Sequence, residues 1–129
     1  MRNAMDRMDA IVGVGKYRTR DDAVRAAEYV RGLLPLSDQW EAEFEYDRED
    51  RDWEWKLTLG GLELSAVDGK FCAAFRIVMQ STTAPKPFAW REWRYASHPI
   101  DAVRKAVHGM ESAMQSAVDA VARAKAMLE

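Results

Sequence analysis

Residues 40–79 read "WEAEFEYDREDRDWEWKLTLGGLELSAVDGKFCAAFRIVM". From Trp40 the even positions are Trp40, Ala42, Phe44 and Tyr46, and the odd ones are Glu41, Glu43 and Glu45. Strict alternation places successive side chains on opposite sides of an extended chain, so this is a half-buried strand. The phase then reverses. Trp53, Trp55, Leu57 and Leu59 are apolar, while Asp52, Glu54, Lys56 and Thr58 are polar. Gly60-Gly61 and Asp68-Gly69 are two-residue hairpin signals. Leu62, Leu64 and Ala66 follow the first, and Phe71, Ala73, Phe75, Ile77 and Met79 follow the second.

Opposed residues of a hairpin share a face, so each turn makes a checkable register. A turn centred on Glu49-Asp50 opposes Tyr46 to Trp53, Phe44 to Trp55 and Ala42 to Leu57. Gly60-Gly61 opposes Leu59 to Leu62, Leu57 to Leu64 and Trp55 to Ala66. Asp68-Gly69 opposes Ala66 to Phe71, Leu64 to Ala73 and Leu62 to Phe75. All three turns put the apolar positions on one side, and a slip of one residue would destroy that agreement. A four-stranded antiparallel meander follows.

Working outward, Thr19 with Asp21 and Asp22 opens a helix over 19–34, with Ala23, Ala27, Val30 and Leu34 in a stripe and Pro35 ending it. Residues 1–18 form an arm, with a short helix over 3–12 suggested by Met5, Met8, Ile11 and Val12 before "VGVGKYR" breaks the pattern. After the loop 81–87, "FAWREWRY" (88–95) reads as a fifth strand. Its aromatics fall on both phases, which calls for a bulge near Arg91-Glu92 or for aromatics on both faces. Ser97 or His98 then caps a long helix over 98–128, with Pro99 in its first turn. Its apolar positions step by three and four: Ile100, Val103, Val107, Met110, Met114, Ala117, Val121, Ala124 and Leu128. Unbroken through Gly109, such a helix is about 45 Å long, against about 26 Å for an eight-residue strand.

The predicted fold is one two-layer α+β domain over 1–129, with the sheet at 39–95 and helices on one face. A single-domain length of 129 residues, with 48% hydrophobic and 31% charged, leaves no segment to default to disorder. The one cysteine, Cys72, can build neither an intrachain disulfide nor a Cys-based zinc site. No secretory leader and no span of 18 apolar residues is seen, so a cytoplasmic protein is expected; a bacterium or its phage as the source rests on the style of the sequence alone.

The charge is uneven. Glu41, Glu43, Glu45, Asp47, Glu49, Asp50, Asp52 and Glu54 stand against Arg48 and Arg51, a segment of −6 in a chain whose total is −2. General acid–base chemistry needs carboxylates in a desolvated pocket; these sit on the polar phase of strands and crowd a hairpin tip. The calcium-loop spacing is missing. Two readings are left: a solvated outer face that protects an edge, or an acidic binding surface. Glu45 opposite Glu54 is an unfavourable pair that solubility alone does not require.

"KPFAWREWRYASH" (86–98) interleaves aromatics with cations. Trp90, Arg91, Trp93, Arg94 and Tyr95 therefore form a secondary candidate, for a protein contact or for stacking on a single strand, against a plain reading as core and rim in which the arginines pair with Glu92. His98 and His108 lie too far apart on one helix to share a metal. Cys72 has no histidine near it in sequence, and no GxSxG, HExxH, Walker or GxGxxG pattern occurs.

The expectation is thus a non-enzymatic protein-binding module with no metal and no cofactor. Its partner would be a protein, in the most concrete version a nucleic-acid-binding complex blocked by an acidic hairpin, as phage inhibitors of host defence (anti-CRISPR-like proteins) do. Direct nucleic-acid binding and membrane association are not expected. A homodimer through Met110, Met114, Val121 and Leu128 is. The alternatives are a small-ligand site or enzyme pocket lined by Trp53, Trp55, Phe75 and Trp90, and a single-strand binder using 86–95.

Overall fold

In a computed structural model of the chain, residues 15–79 and 88–129 are described, the side chains of Met79 and of 88–90 excepted. The expected short helix at 3–12 and the loop at 81–87 lie outside the described residues. Helix α1 (Arg20–Gly32) opens where Thr19 Oγ1 accepts from the Asp22 N–H at 3.2 Å, with Asp21 and Asp22 in its first turn and Arg31 in its last. It ends two residues earlier than the expected boundary. A short 3-10 turn (Ser37–Gln39) leads to strands β1 (Glu41–Asp47), β2 (Asp52–Leu59), β3 (Leu62–Val67) and β4 (Lys70–Phe75). Short strands β5 (Ile77–Met79), β6 (Phe88–Trp90) and β7 (Arg94–Ala96) precede helix α2 (Pro99–Leu128). The main sheet is antiparallel in the order β1-β2-β3-β4-β7, so the architecture is α+β with both helices on one face.

The registers follow from the turns. Tyr46 opposes Trp53, Leu59 opposes Leu62, and Leu62 opposes Phe75, each as parity requires. Asp68 and Gly69 both take positive φ (50° and 79°), the I′ geometry that suits the twist of a hairpin. On the helix side, Trp55, Leu57, Leu64, Phe71 and Ala73 meet Ala26, Ala27 and Val30 of α1 and Ala102, Val103 and Ala106 of α2. The helical side of this core is mostly alanine, which lets both helices lie close on the sheet. Leu57, Leu64, Phe71 and Val30 are fully buried, each contributing about 1.5–3 kcal/mol.

Three features differ from expectation. First, Trp55 does not pair with Ala66: the β2–β3 ladder stops at Leu57–Leu64. Residues 15–17 enter there instead. Tyr17 exchanges two backbone hydrogen bonds with Trp53, at 2.9 and 2.5 Å, and a Cβ at Gly15 would overlap the Ala66 carbonyl. The Trp55 indole N–H donates to the Tyr17 hydroxyl at 3.3 Å. A wedge from the N-terminal arm thus splays β2 from β3.

Second, the fifth strand is interrupted. Residues 94–96 pair with β4, whereas 88–90 pair with β5 as a separate ribbon. The two pairings keep the same register, Phe71 to Ala96 and Ile77 to Trp90. No residue is therefore inserted near Arg91-Glu92: the ladder opens without a bulge, and Trp93 and Tyr95 share the phase of Arg91.

Third, Ala42 and Tyr46 are exposed, although their phase points them to the helix side. The sheet is about 24 Å wide and two helices cover about 20 Å. With α2 over β4 and β7 and α1 over β2, β1 is left at the uncovered margin. At the other end, α2 has His98 as its N-cap with no side-chain capping bond and Pro99 at its first position, and it runs unbroken through Gly109. Among the described residues, no helix is long and apolar enough to cross a membrane.

Candidate binding surface

Strand β1 is an edge of the sheet. Its parity sends Glu41, Glu43 and Glu45 to the face away from the helices, and all three are exposed. Across the ladder they meet Thr58, Lys56 and Glu54 in turn. Lys56 Nζ lies 3.5 Å from Glu43, an exposed pair worth well under 1 kcal/mol. Glu45 faces Glu54 as the register required, and among the described ion pairs neither carboxylate is directly paired with a cation. Burial pushes the Glu54 carboxyl above its ordinary value; the charges of Asp47, Glu45 and Asp50 push the same way, and Lys16 opposes them.

The tip is ordered by its own polar groups. Asp47 Oδ1 accepts from the Glu49 and Asp50 N–H groups at 2.9 and 3.3 Å, and the Asp47 carbonyl accepts from the Arg51 N–H at 2.7 Å. Arg51 closes the loop with φ of 59°. Lys16, carried in by the wedge, bonds the Asp50 carboxylate. That hydrogen bond raises the Lys16 ammonium and lowers the Asp50 carboxyl. On the helix side, Arg20 sits 5.0 Å from the centroid of the Phe44 ring, and the Tyr46 and Trp53 rings meet at a tilt of 51° with centroids 5.4 Å apart. The hairpin is thus fastened near its tip by Tyr17, at Trp53, and by Lys16, at Asp50, and along its inner side by Arg20.

The eight acids do not act as one block. Asp50 is bonded by Lys16, Glu43 lies beside Lys56, and Asp47 is spent on the turn. Glu41 and Glu45 remain a solvated pair on the free edge, with Glu54 half-buried between strands and Glu49 and Asp52 near the tip. Lys16 could not be placed from sequence, because its partner lies 34 residues away and residues 15–17 carry no strand periodicity.

Beside this row, the outer face is less polar than alternation suggests. Glu63, Cys72 and Ala74 are buried there, Glu63 only 6% exposed. Arg91 grips the Glu63 carboxylate with two hydrogen bonds, at 3.0 and 3.2 Å. Of the two arginines expected beside Glu92, only Arg94 pairs with it among the described residues, at 3.1 Å. An open cleft of about 510 Å³ runs between the Gly60-Gly61 turn, Lys56, Arg76 and Arg91. It meets a second cleft of about 300 Å³ over Glu45, Glu54 and Ser65, with Glu43 and Lys56 common to both.

The aromatic and basic segment is divided. Arg91 is tied to Glu63 on the outer face. Arg94 turns toward α2, where its guanidinium would crowd a Cβ at Gly109. Trp93 and Tyr95 are exposed, and the Trp90 side chain lies outside the described residues. Burial raises the Cys72 thiol, with its sulfur 3.1 Å from the Ser65 hydroxyl, so it is held as a thiol rather than a nucleophilic thiolate. Among the described residues, no three His, Cys, Asp or Glu side chains converge as metal ligands would. Met110 is half-buried at the sheet's end, and Met114, Val121 and Leu128 are exposed beyond it. Comparison with protein-family models, curated proteins and solved structures finds no match to this chain.

Proposed function

We propose that this chain is a non-enzymatic protein-binding module whose acidic edge strand β1, with the hairpin tip, receives a basic surface of a protein partner. The observation that carries it is the exposed row Glu41, Glu43 and Glu45 on a strand that, among the described residues, is an edge of the sheet. Side chains two apart on a strand repeat about every 6.7 Å, a regular line of negative charge on a rigid support. The edge adds backbone donors and acceptors. A nucleic-acid-binding protein is the partner class that fits, because such proteins are drawn first to a line of charge rather than to bases. An inhibitor that occupies a nucleic-acid channel is the concrete form of this reading. A cytoplasmic setting, where a lone thiol stays reduced, goes with it.

The alternatives have less support. Trp55 is occupied by Tyr17 in the packed core, while the Trp53 ring lies tilted against Tyr46 in the hairpin, so the two do not open toward one ligand. A single-strand site over 86–95 would need Arg91, which is committed to Glu63.

The test replaces Glu41, Glu43 and Glu45 together by Lys and compares partners captured from host lysate at fixed salt. Loss of the wild-type partners is expected, with wild-type binding weakening as salt rises. Retention of the same partners by the triple variant refutes the proposal.

A further inference from the structure

We propose that residues 110–128 of α2 pair with the same segment of a second copy, antiparallel, in a two-helix seam. This inference is independent of the acidic hairpin. Helix α2 is buried at Pro99, Ala102, Val103 and Ala106, and from Glu111 onward it leaves the sheet behind. Met114, Val118, Val121, Met127 and Leu128 are each more than half exposed, and Ala117, Val118, Val121 and Ala122 line an apolar groove along this tail. A free helix of about 18 residues is marginal in water without a packed face.

The pattern of the tail selects its occupant. Met110, Met114, Ala117, Val121, Ala124 and Leu128 step by 4, 3, 4, 3 and 4, so the stripe reads alike in both directions about position 119. Antiparallel pairing about that point sets Met110 against the partner's Leu128, Met114 against the partner's Ala124, and Ala117 against the partner's Val121. Each stripe residue meets another stripe residue.

The flanks fix the direction. Glu111, Val118 and Lys125 are seven apart and lie along one side of the stripe. In an antiparallel pair this side meets its own copy, so Glu111 falls beside the partner's Lys125 at both ends, and Val118 falls beside the partner's Val118 in the middle. In a parallel pair it would meet the opposite flank, Ala113, Ala120 and Met127, and neither charge would find a partner. Flanking charges are what set orientation in paired helices. The outward side is polar and satisfied within the helix, with Gln115 donating to Asp119 at 3.0 Å. The register also keeps the two bodies apart. The partner's Leu128 reaches Met110, where the sheet's own cover of α2 ends.

Light scattering after gel filtration should give twice the 14.7 kDa chain mass. Val121→Asp, at a position beyond the sheet, should give single chains in which the tryptophan fluorescence of the sheet is unchanged while the helical circular dichroism of the freed tail falls. Glu111→Lys and Lys125→Glu should each weaken self-association about tenfold, since two flanking pairs turn repulsive. Mixing these two variants should restore wild-type affinity. One chain of the mixed dimer then carries lysine at both flanking positions and the other carries glutamate at both, so each of the two pairs joins opposite charges. A wild-type chain that stays single at about 0.1 mM, well above a micromolar Kd, overturns the proposal. So does a dimer indifferent to Val121→Asp, or a mixture no tighter than its two components.

Discussion

Arg91→Met takes away the guanidinium that holds the Glu63 carboxylate. The Glu63 side chain is 8% exposed and that of Arg91 is 34% exposed, so the variant leaves a carboxylate in the sheet's outer face with little water to replace two hydrogen bonds. Breaking a fully buried pair from one side costs about 3–5 kcal/mol, and a third of the Arg91 side chain in water reduces that to about 2–3 kcal/mol. For a chain of this size the melting temperature should fall by about 10 °C. Urea denaturation at pH 7, followed by Trp fluorescence with the slope compared against wild type, measures the free energy directly. The companion variant Glu63→Met/Arg91→Met removes both charges and should recover most of the loss, since the apolar pair has no ion to desolvate. If Arg91→Met costs less than about 0.5 kcal/mol, the carboxylate is hydrated and the reasoning about this face is wrong.

Two further outcomes follow from the wedge and the acid pair. Gly15→Ala should destabilise by about 2–3 kcal/mol in the same denaturation assay, because Gly15 has φ of 71° and its new methyl would collide with the Ala66 carbonyl; wild-type stability would mean that residues 15–17 do not sit between β2 and β3. Glu54→Gln should stabilise slightly at pH 7, by about 0.5 kcal/mol, because it relieves the Glu45–Glu54 opposition. The folded Glu54 carboxyl is raised above its unfolded value, so its favourable contribution is complete only below the unfolded value and is lost as pH rises through the folded one. The advantage of Gln should therefore shrink as pH falls through the carboxylate range, and melting curves in a pH series would detect a gap that stays constant instead.

The sheet was legible because its signals are local. Each hairpin turn is bounded by residues whose parity must agree across two or three rungs, and Trp53, Leu57, Leu64 and Phe71 satisfy all three turns together. Helix ends were legible for the same reason, since Thr19 and Pro99 act on their own neighbours. Glu45 against Glu54, and Glu43 against Lys56, came directly from that register. Lys16 and Arg91 did not, because their partners lie 34 and 28 residues away.

Which residues share a face, where the two helices open and where the first three hairpins turn, is written in the order of the amino acids: alternation, turn chemistry and capping act over a few residues and need no knowledge of the rest. How far each face is covered is a matter of packing. Two helices are too narrow for five strands, so Ala42 and Tyr46 stay in water despite their inward phase. Three residues of the N-terminal arm displace the Trp55–Ala66 rung because two backbone hydrogen bonds and a side-chain-free Gly15 fit the gap. The ladder between β4 and the chain at 91–93 opens while its register holds, and Arg91 crosses to Glu63. These are competitions between distant segments for the same hydrogen bonds and the same buried space, and a periodic pattern carries no record of them.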